Sequence, residues 1–77
     1  MTPTLLREIG EALDGPSWQT PLAARLGVTV RTVQRWVSGE RGIPDGLAGE
    51  LVPHLEVKIG NVGRLAVQLR RMAKAAA

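Results

Sequence analysis

Apolar residues recur at intervals of three and four positions in four successive stretches of the chain. This spacing places side chains on one face of an α-helix. The stretches begin near residues 4, 19, 30 and 45, and the last continues to about residue 74. No stretch alternates apolar and polar residues in the manner of a half-buried strand. The pattern therefore predicts an all-α protein of four helices, with a C-terminal extension of the fourth.

Capping residues limit the first predicted helix. Thr2 or Thr4 can accept a hydrogen bond from a free amide at its start, and Pro3 suits its first turn. Gly15 followed by Pro16 ends it, because proline cannot continue the hydrogen-bond ladder. The face predicted to point inward consists of Leu5, Leu6, Ile9, Ala12 and Leu13.

A short turn separates the second predicted helix, 19–26, from the third, 30–37. Gly27 can adopt the left-handed conformation that closes many helices, and Val28 after it is predicted to be buried. Thr29 is a suitable N-cap for the third helix. The residues predicted to pack inside are Trp18, Leu22, Ala23, Leu26, Val33, Trp36 and Val37.

The fourth helix is predicted to start at Pro44-Asp45, where the carboxylate complements the helix dipole. Pro53 removes one backbone hydrogen bond, so it either kinks or breaks the helix. Beyond it, apolar residues continue at heptad-like spacing in a stripe longer than a small core can cover. Exposed apolar patches of this kind mark association sites. The predicted dimerisation residues are Leu55, Ile59, Val62, Leu65, Leu69 and Met72.

Composition narrows the classes of function. The chain has 77 residues, enough for one small domain, with no cysteine and a single histidine, His54. It offers no Ser/His/Asp set and no glycine-rich phosphate loop, so we predict neither an enzyme nor a cofactor, metal or small-molecule ligand. No apolar run has the length of a membrane span and no leader pattern is present. We therefore expect a cytoplasmic protein without a membrane partner.

Positive charge is concentrated in two parts of the chain. Residues 19–42 carry four arginines against one glutamate, a net charge of +3, and residues 57–77 carry +5 with no acid. Residues 1–18 and 43–56 have net charges of −2 and −3. Segregated basic charge suggests a polyanionic partner such as nucleic acid.

The segment from Gln19 to Ser38 resembles the twenty-residue helix-turn-helix of the lambda-repressor-like, or Cro-type, family. The opening polar residue, the small residue that lets the helices approach and the turn glycine match at Gln19, Ala23 and Gly27. The buried positions match at Leu22, Leu26, Val28, Val33 and Trp36, and the loop "SGERGIP" that follows is similar. The resemblance covers roughly residues 5–51 and implies a four-helix DNA-binding domain.

The side chains of the third helix favour the same interpretation. If Val33 and Trp36 point inward, the opposite side presents groups that can contact guanine, adenine and the thymine methyl. The predicted base-reading residues are Val30, Arg31, Gln34 and Arg35. Residues at helix starts and in the following loop can hold phosphates. The predicted phosphate contacts are Gln19, Thr20, Thr29, Thr32 and Arg41.

We therefore predict sequence-specific binding to double-stranded DNA by a domain at 1–52, followed by a helical extension at 53–77. The predicted protein is a small transcriptional regulator that binds as a homodimer to half-sites one helical turn apart. The basic residues of the extension, expected near the pairing seam, favour antiparallel or crossed pairing over a parallel coiled coil. The extension could also fold back on the domain. The alternative function is a helical protein-interaction module, antitoxin-like or scaffolding, that uses the C-terminal helix.

Overall fold

The computed structural model describes the backbone of residues 1–76 and the side chains of residues 1–75. Within this part of the chain the fold is all-α, as the sequence predicts, with four α-helices and no strand. The helices are α1 (Pro3–Asp14), α2 (Gln19–Leu26), α3 (Val30–Ser38) and α4 (Leu47–Ala76). A short 3-10 turn at Gly15–Ser17 joins α1 to α2.

Local capping determines where α1 begins and ends. The side-chain oxygen of Thr2 accepts a hydrogen bond from the Leu5 amide at 3.1 Å, so Thr2, and not Thr4, is the N-cap. At the other end Gly15 has a φ of 77°, a value that favours glycine. Both ends of α1 therefore lie where the sequence predicts them.

The hydrophobic core is formed by all four helices and lies entirely in the first two thirds of the chain. Trp18 and Trp36 are both almost fully buried, as predicted. Leu5 was expected in the core but is 44 % exposed, because Leu6 takes the inward position on α1. Ala12 is also exposed, whereas Val28 and Val37 are half-buried against the core. The core residues are Leu6, Leu13, Trp18, Leu22, Ala23, Val33, Trp36, Leu47 and Leu51.

Gly10 allows a close contact between α1 and Trp18. The indole of Trp18 occupies the place of a side chain at Gly10, since a Cβ placed there would overlap ring atoms Cε3 and Cδ2 and lie 2.9 Å from Cγ. Real Cβ atoms essentially never approach another heavy atom so closely. Only glycine at position 10 therefore allows Trp18 to pack in this way.

α4 starts later than predicted and is continuous. It begins at Leu47 and not at Pro44-Asp45, because Asp45 and Gly46 form a turn and the Leu47 amide donates to the Pro44 carbonyl at 3.2 Å. Asp45 therefore lies outside the first turn of the helix. Pro53 lies inside α4 without breaking it, so the helix runs through the predicted boundary between residues 52 and 53.

Polar contacts fasten the first part of α4 to α1 and α2. The Lys58 Nζ donates to the Leu13 carbonyl at 3.1 Å, where a positive charge complements the C-terminal end of α1. One turn earlier on α4, the Nδ1 of His54 lies 3.5 Å from the Arg25 guanidinium. We call residues 1–58, which end at this junction, the head.

The rest of α4, residues 59–76, projects from the head, and we call it the overhang. Its large apolar side chains are exposed, from 42 % at Val67 to 71 % at Ile59. The molecule measures 55 × 22 × 20 Å, so α4 does not fold back on its own domain. Among the predicted dimerisation residues Leu55 differs, because it is half-buried and packs against the core of the head.

Candidate nucleic-acid interface

The turn between α2 and α3 is held by local hydrogen bonds. Gly27 has the left-handed φ and ψ of 68° and 30°, and its amide donates to the carbonyls of Ala23 and Ala24. The Val28 amide also donates to the Ala23 carbonyl, at 3.0 Å. The next residue already caps α3, so the turn is short, and α2 and α3 pack extensively on each other. This packing fixes the direction of α3 on the head.

Two threonines organise the N-terminal end of α3. The Thr29 Oγ1 accepts a hydrogen bond from the Thr32 amide at 3.2 Å, which confirms Thr29 as the N-cap. The hydroxyls of Thr29 and Thr32 lie 3.0 Å apart. Thr29 is exposed and Thr32 is half-buried. Both hydroxyls lie at the N-terminal end of α3, where the helix dipole favours negative charge.

α3 separates a buried side from a polar side. Val33 is fully buried and Trp36 is 4 % exposed, so these two side chains anchor the helix to the core. On the other side Arg31 and Gln34 are exposed. The indole nitrogen of Trp36 is buried without a hydrogen-bond partner among the described residues, so this tryptophan has no polar group to offer a ligand.

The other two predicted base-reading residues are less exposed. Val30 is half-buried and packs against the core, so only part of its side chain remains accessible. Arg35 is also partly covered, and its Nε lies 4.0 Å from a Glu40 carboxylate oxygen. Contacts at this distance between exposed groups contribute little to stability, so Arg35 can exchange Glu40 for another anion.

Arg41 lies in the loop between α3 and α4. Its side chain is exposed, and its amide donates to the Arg35 carbonyl at 3.2 Å, which ties the loop to the last turn of α3. The Ser38 hydroxyl donates to the same carbonyl at 3.1 Å. These bonds hold the start of the loop close to the basic side of α3.

The start of α2 provides the remaining predicted phosphate contacts. Thr20 is exposed in the first turn of α2, and Gln19 beside it is half-buried. The predicted interface residues therefore lie at the N-terminal ends of α2 and α3, along the outer side of α3 and in the loop after it.

Arg25 forms an ion pair within the head, with Asp14 at the end of α1. Its Nη2 donates to the Asp14 carboxylate at 2.9 Å and its Nε donates to the same group at 3.3 Å. The hydrogen bond to Asp14 raises the pKa of the Arg25 guanidinium, and burial of the guanidinium opposes this rise. The two residues are 11 positions apart on different helices, so no local pattern identifies the pair. The basic charge of residues 19–42 left for a partner is therefore at Arg31, Arg35 and Arg41.

Comparisons of the chain with protein-family models, curated proteins and solved structures find no match. Among the described residues no helix is both long and apolar enough to cross a bilayer. The same part of the chain contains no group of three histidine or carboxylate side chains positioned to hold a metal ion.

Proposed function

We propose that the protein binds double-stranded DNA sequence-specifically as a homodimer and acts as a small cytoplasmic transcriptional regulator. In this proposal α2 and α3 are a helix-turn-helix of the lambda-repressor-like type, and α3 enters the major groove. The observation that carries the proposal is the polar side of α3, where Arg31 and Gln34 are exposed while Val33 and Trp36 fix the helix from behind.

The exposed groups on α3 have the chemistry needed to recognise base edges. An arginine can donate two hydrogen bonds to guanine, and a glutamine can bond bidentately to adenine. No carboxylate of residues 1–75 lies within 4.0 Å of the Arg31 guanidinium, and Arg35 has only its distant contact with Glu40. A pair of arginines one turn apart gains nothing for an isolated helix, so an anionic partner explains them better. Val30 contributes the exposed part of its side chain to a thymine methyl.

Phosphate contacts would orient this helix on the duplex. The amides in the first turns of α2 and α3 and the hydroxyls of Thr20, Thr29 and Thr32 can donate to phosphate oxygens. Arg41 adds a charge at the opposite end of α3, and Gln19 adds an amide at the start of α2. These contacts position the protein and carry no sequence information of their own.

Selection from a random duplex library, followed by Arg31→Ala, tests this proposal. We expect Arg31→Ala to weaken binding to the selected site by about 1–3 kcal/mol and to relax the base preference at one position. Arg7→Ala is the matched control, because it removes the same charge from an exposed position on α1. If the two variants bind the selected site equally well, α3 is not the recognition element.

The exposed overhang favours a second candidate, a helical protein-interaction module that is antitoxin-like or a scaffold. Salt dependence separates the two functions. DNA binding weakens steeply as salt rises, because neutralised phosphates release counterions. Binding of a protein partner to an apolar helix face is expected to keep its affinity as salt rises, because the hydrophobic effect does not depend on charge.

A further inference from the structure

The apolar face of the overhang continues the face that holds α4 on its own head. At 100° per residue, Leu47, Leu51 and Leu55 lie within an arc of about 100° around the helix. Leu47 and Leu51 are buried in the core and Leu55 packs against it. The overhang residues on the same arc are Val62, Leu65, Leu69 and Met72, which are 50–64 % exposed. One helix face is therefore covered by the head over residues 47–55 and bare over residues 62–72.

The basic residues of the overhang lie on the opposite side of α4. Arg64, Arg70, Arg71 and Lys74 surround the direction roughly 180° from the apolar face. Uncharged residues flank that face, among them Asn61, Ala66, Gln68 and Ala73. A pair formed through the apolar face would therefore keep these charges away from its seam, and Gly60 and Gly63 also point away from that face. Ile59 lies at the edge of that face.

The bare face is large enough for a specific pair. Its exposed large side chains present on the order of 500 Å² of apolar surface per copy, so a symmetrical pair that covered them completely would bury about 1,000 Å². This is about the smallest area expected of a biological interface, so the pair is a weak one that forms at micromolar concentration. A second copy of this chain offers a surface of matching size, length and chemistry.

The position of the head determines which direction the second copy takes. The head lies on the same side of α4 as the bare face, because Leu47 and Leu51 point into it. In a parallel pair the two heads would lie at the same level along the helices, and both would need the space between the two copies of α4. In an antiparallel pair the heads lie beyond opposite ends of the paired segment, which spans about 27 Å over residues 59–76.

We propose that two copies of the chain pair antiparallel through the bare face of the overhang, with the two-fold axis at the level of Val67. The apolar positions are spaced three, four and three residues apart, so the pattern is the same in both directions. About this axis Val62 lies opposite Met72 of the second copy, and Leu65 lies opposite its Leu69. The basic sides of both helices point away from the interface.

This inference deepens the homodimer of the proposed function, and its tests contain no DNA, so the two can fail separately. Sedimentation of the full chain is expected to show a dimer at micromolar concentration. Leu69→Glu is expected to raise the dissociation constant at least tenfold, because it buries a charge in the interface. Val67→Glu is the matched control, since Val67 is exposed on the other side of the same helix and this variant is expected to remain dimeric.

Both variants change residues that are exposed in the single chain, so circular dichroism is expected to show a folded head in each. A full-length chain that stays monomeric at high micromolar concentration overturns the proposal. Equal association of Leu69→Glu and Val67→Glu also overturns it.

Cysteine cross-linking tests the direction of pairing, since the natural chain has no cysteine. A mixture of Val62→Cys and Met72→Cys chains is expected to form a disulfide between unlike chains. Each variant alone is expected to stay uncross-linked, because like positions lie about 15 Å apart along the axis, beyond disulfide reach. Efficient cross-linking of Val62→Cys with itself means parallel pairing and overturns the proposal.

Discussion

The head and the overhang share one helix and one apolar face, yet they place that face in different surroundings. In the head, Leu47 and Leu51 are almost fully buried by side chains from α1 to α3. In the overhang, Leu65 and Leu69 occupy equivalent positions and are at least half exposed. Both sets recur at helical spacing on one face, every four residues in the head and every three or four in the overhang. The comparison shows that spacing specifies which residues share a face, whereas the rest of the fold decides what covers it.

The polar contacts differ between the two regions in the same way. Arg25 and Lys58 in the head make hydrogen bonds that join separate helices. Arg64 and Arg71 in the overhang make no ion pair with the carboxylates of residues 1–75. Basic residues therefore stabilise the tertiary structure of the head, whereas those of the overhang remain on an outer surface.

Glycine substitutions provide the largest expected contrast. We expect Gly10→Ala to destabilise the head by about 3 kcal/mol, because the added methyl overlaps the buried ring of Trp18 and forces it to move. A thermal or urea melt measures the change. A variant with unaltered stability would mean that Trp18 does not pack against Gly10.

Gly27→Val is expected to destabilise the head by about 1–3 kcal/mol, through the backbone and not through packing. No atom lies within 4 Å of a Cβ built at Gly27, but its φ of +68° is unfavourable for a β-branched residue. The melt of Gly27→Ala is the control, since alanine tolerates the left-handed region better than valine. Equal melting of both variants and the parent would contradict the left-handed turn between α2 and α3.

Removing one charge from each region tests which of them contacts DNA. Arg41→Ala in the head is expected to weaken all duplex sequences about equally and to lower the salt slope by about one unit. Lys74→Ala in the overhang removes the same charge and is expected to leave the slope unchanged. Titrations at several salt concentrations measure both slopes. A reduced slope for Lys74→Ala alone would transfer the phosphate contact to the overhang.

The smallest expected effect is Gly63→Ala in the overhang. A Cβ at Gly63 meets no other atom, and glycine within a helix costs about 1 kcal/mol relative to alanine. The variant is therefore expected to increase helicity, measured by circular dichroism, and to leave self-association unchanged because Gly63 points away from the apolar face. Loss of the dimer would show that the interface includes this side of α4.

The sequence by itself determined the helices and most of their ends. Thr2, Thr29 and Gly27 act on amides or carbonyls within a few residues of themselves, so their roles follow from local patterns. The polar side of α3 also follows from periodicity, because Val33 and Trp36 fix the direction of the residues between them. The pattern alone did not decide whether Pro53 kinks or breaks α4, and it predicted a start of α4 that is too early.

Only the tertiary structure decided which long-range contacts these elements make. It buries Leu6 and exposes Leu5, brings Trp18 onto Gly10, and joins Arg25 to Asp14. It also places the head on the apolar side of α4. Each of these outcomes depends on how helices distant in sequence pack in space. Helical periodicity states which side chains share a face but not which neighbour that face meets.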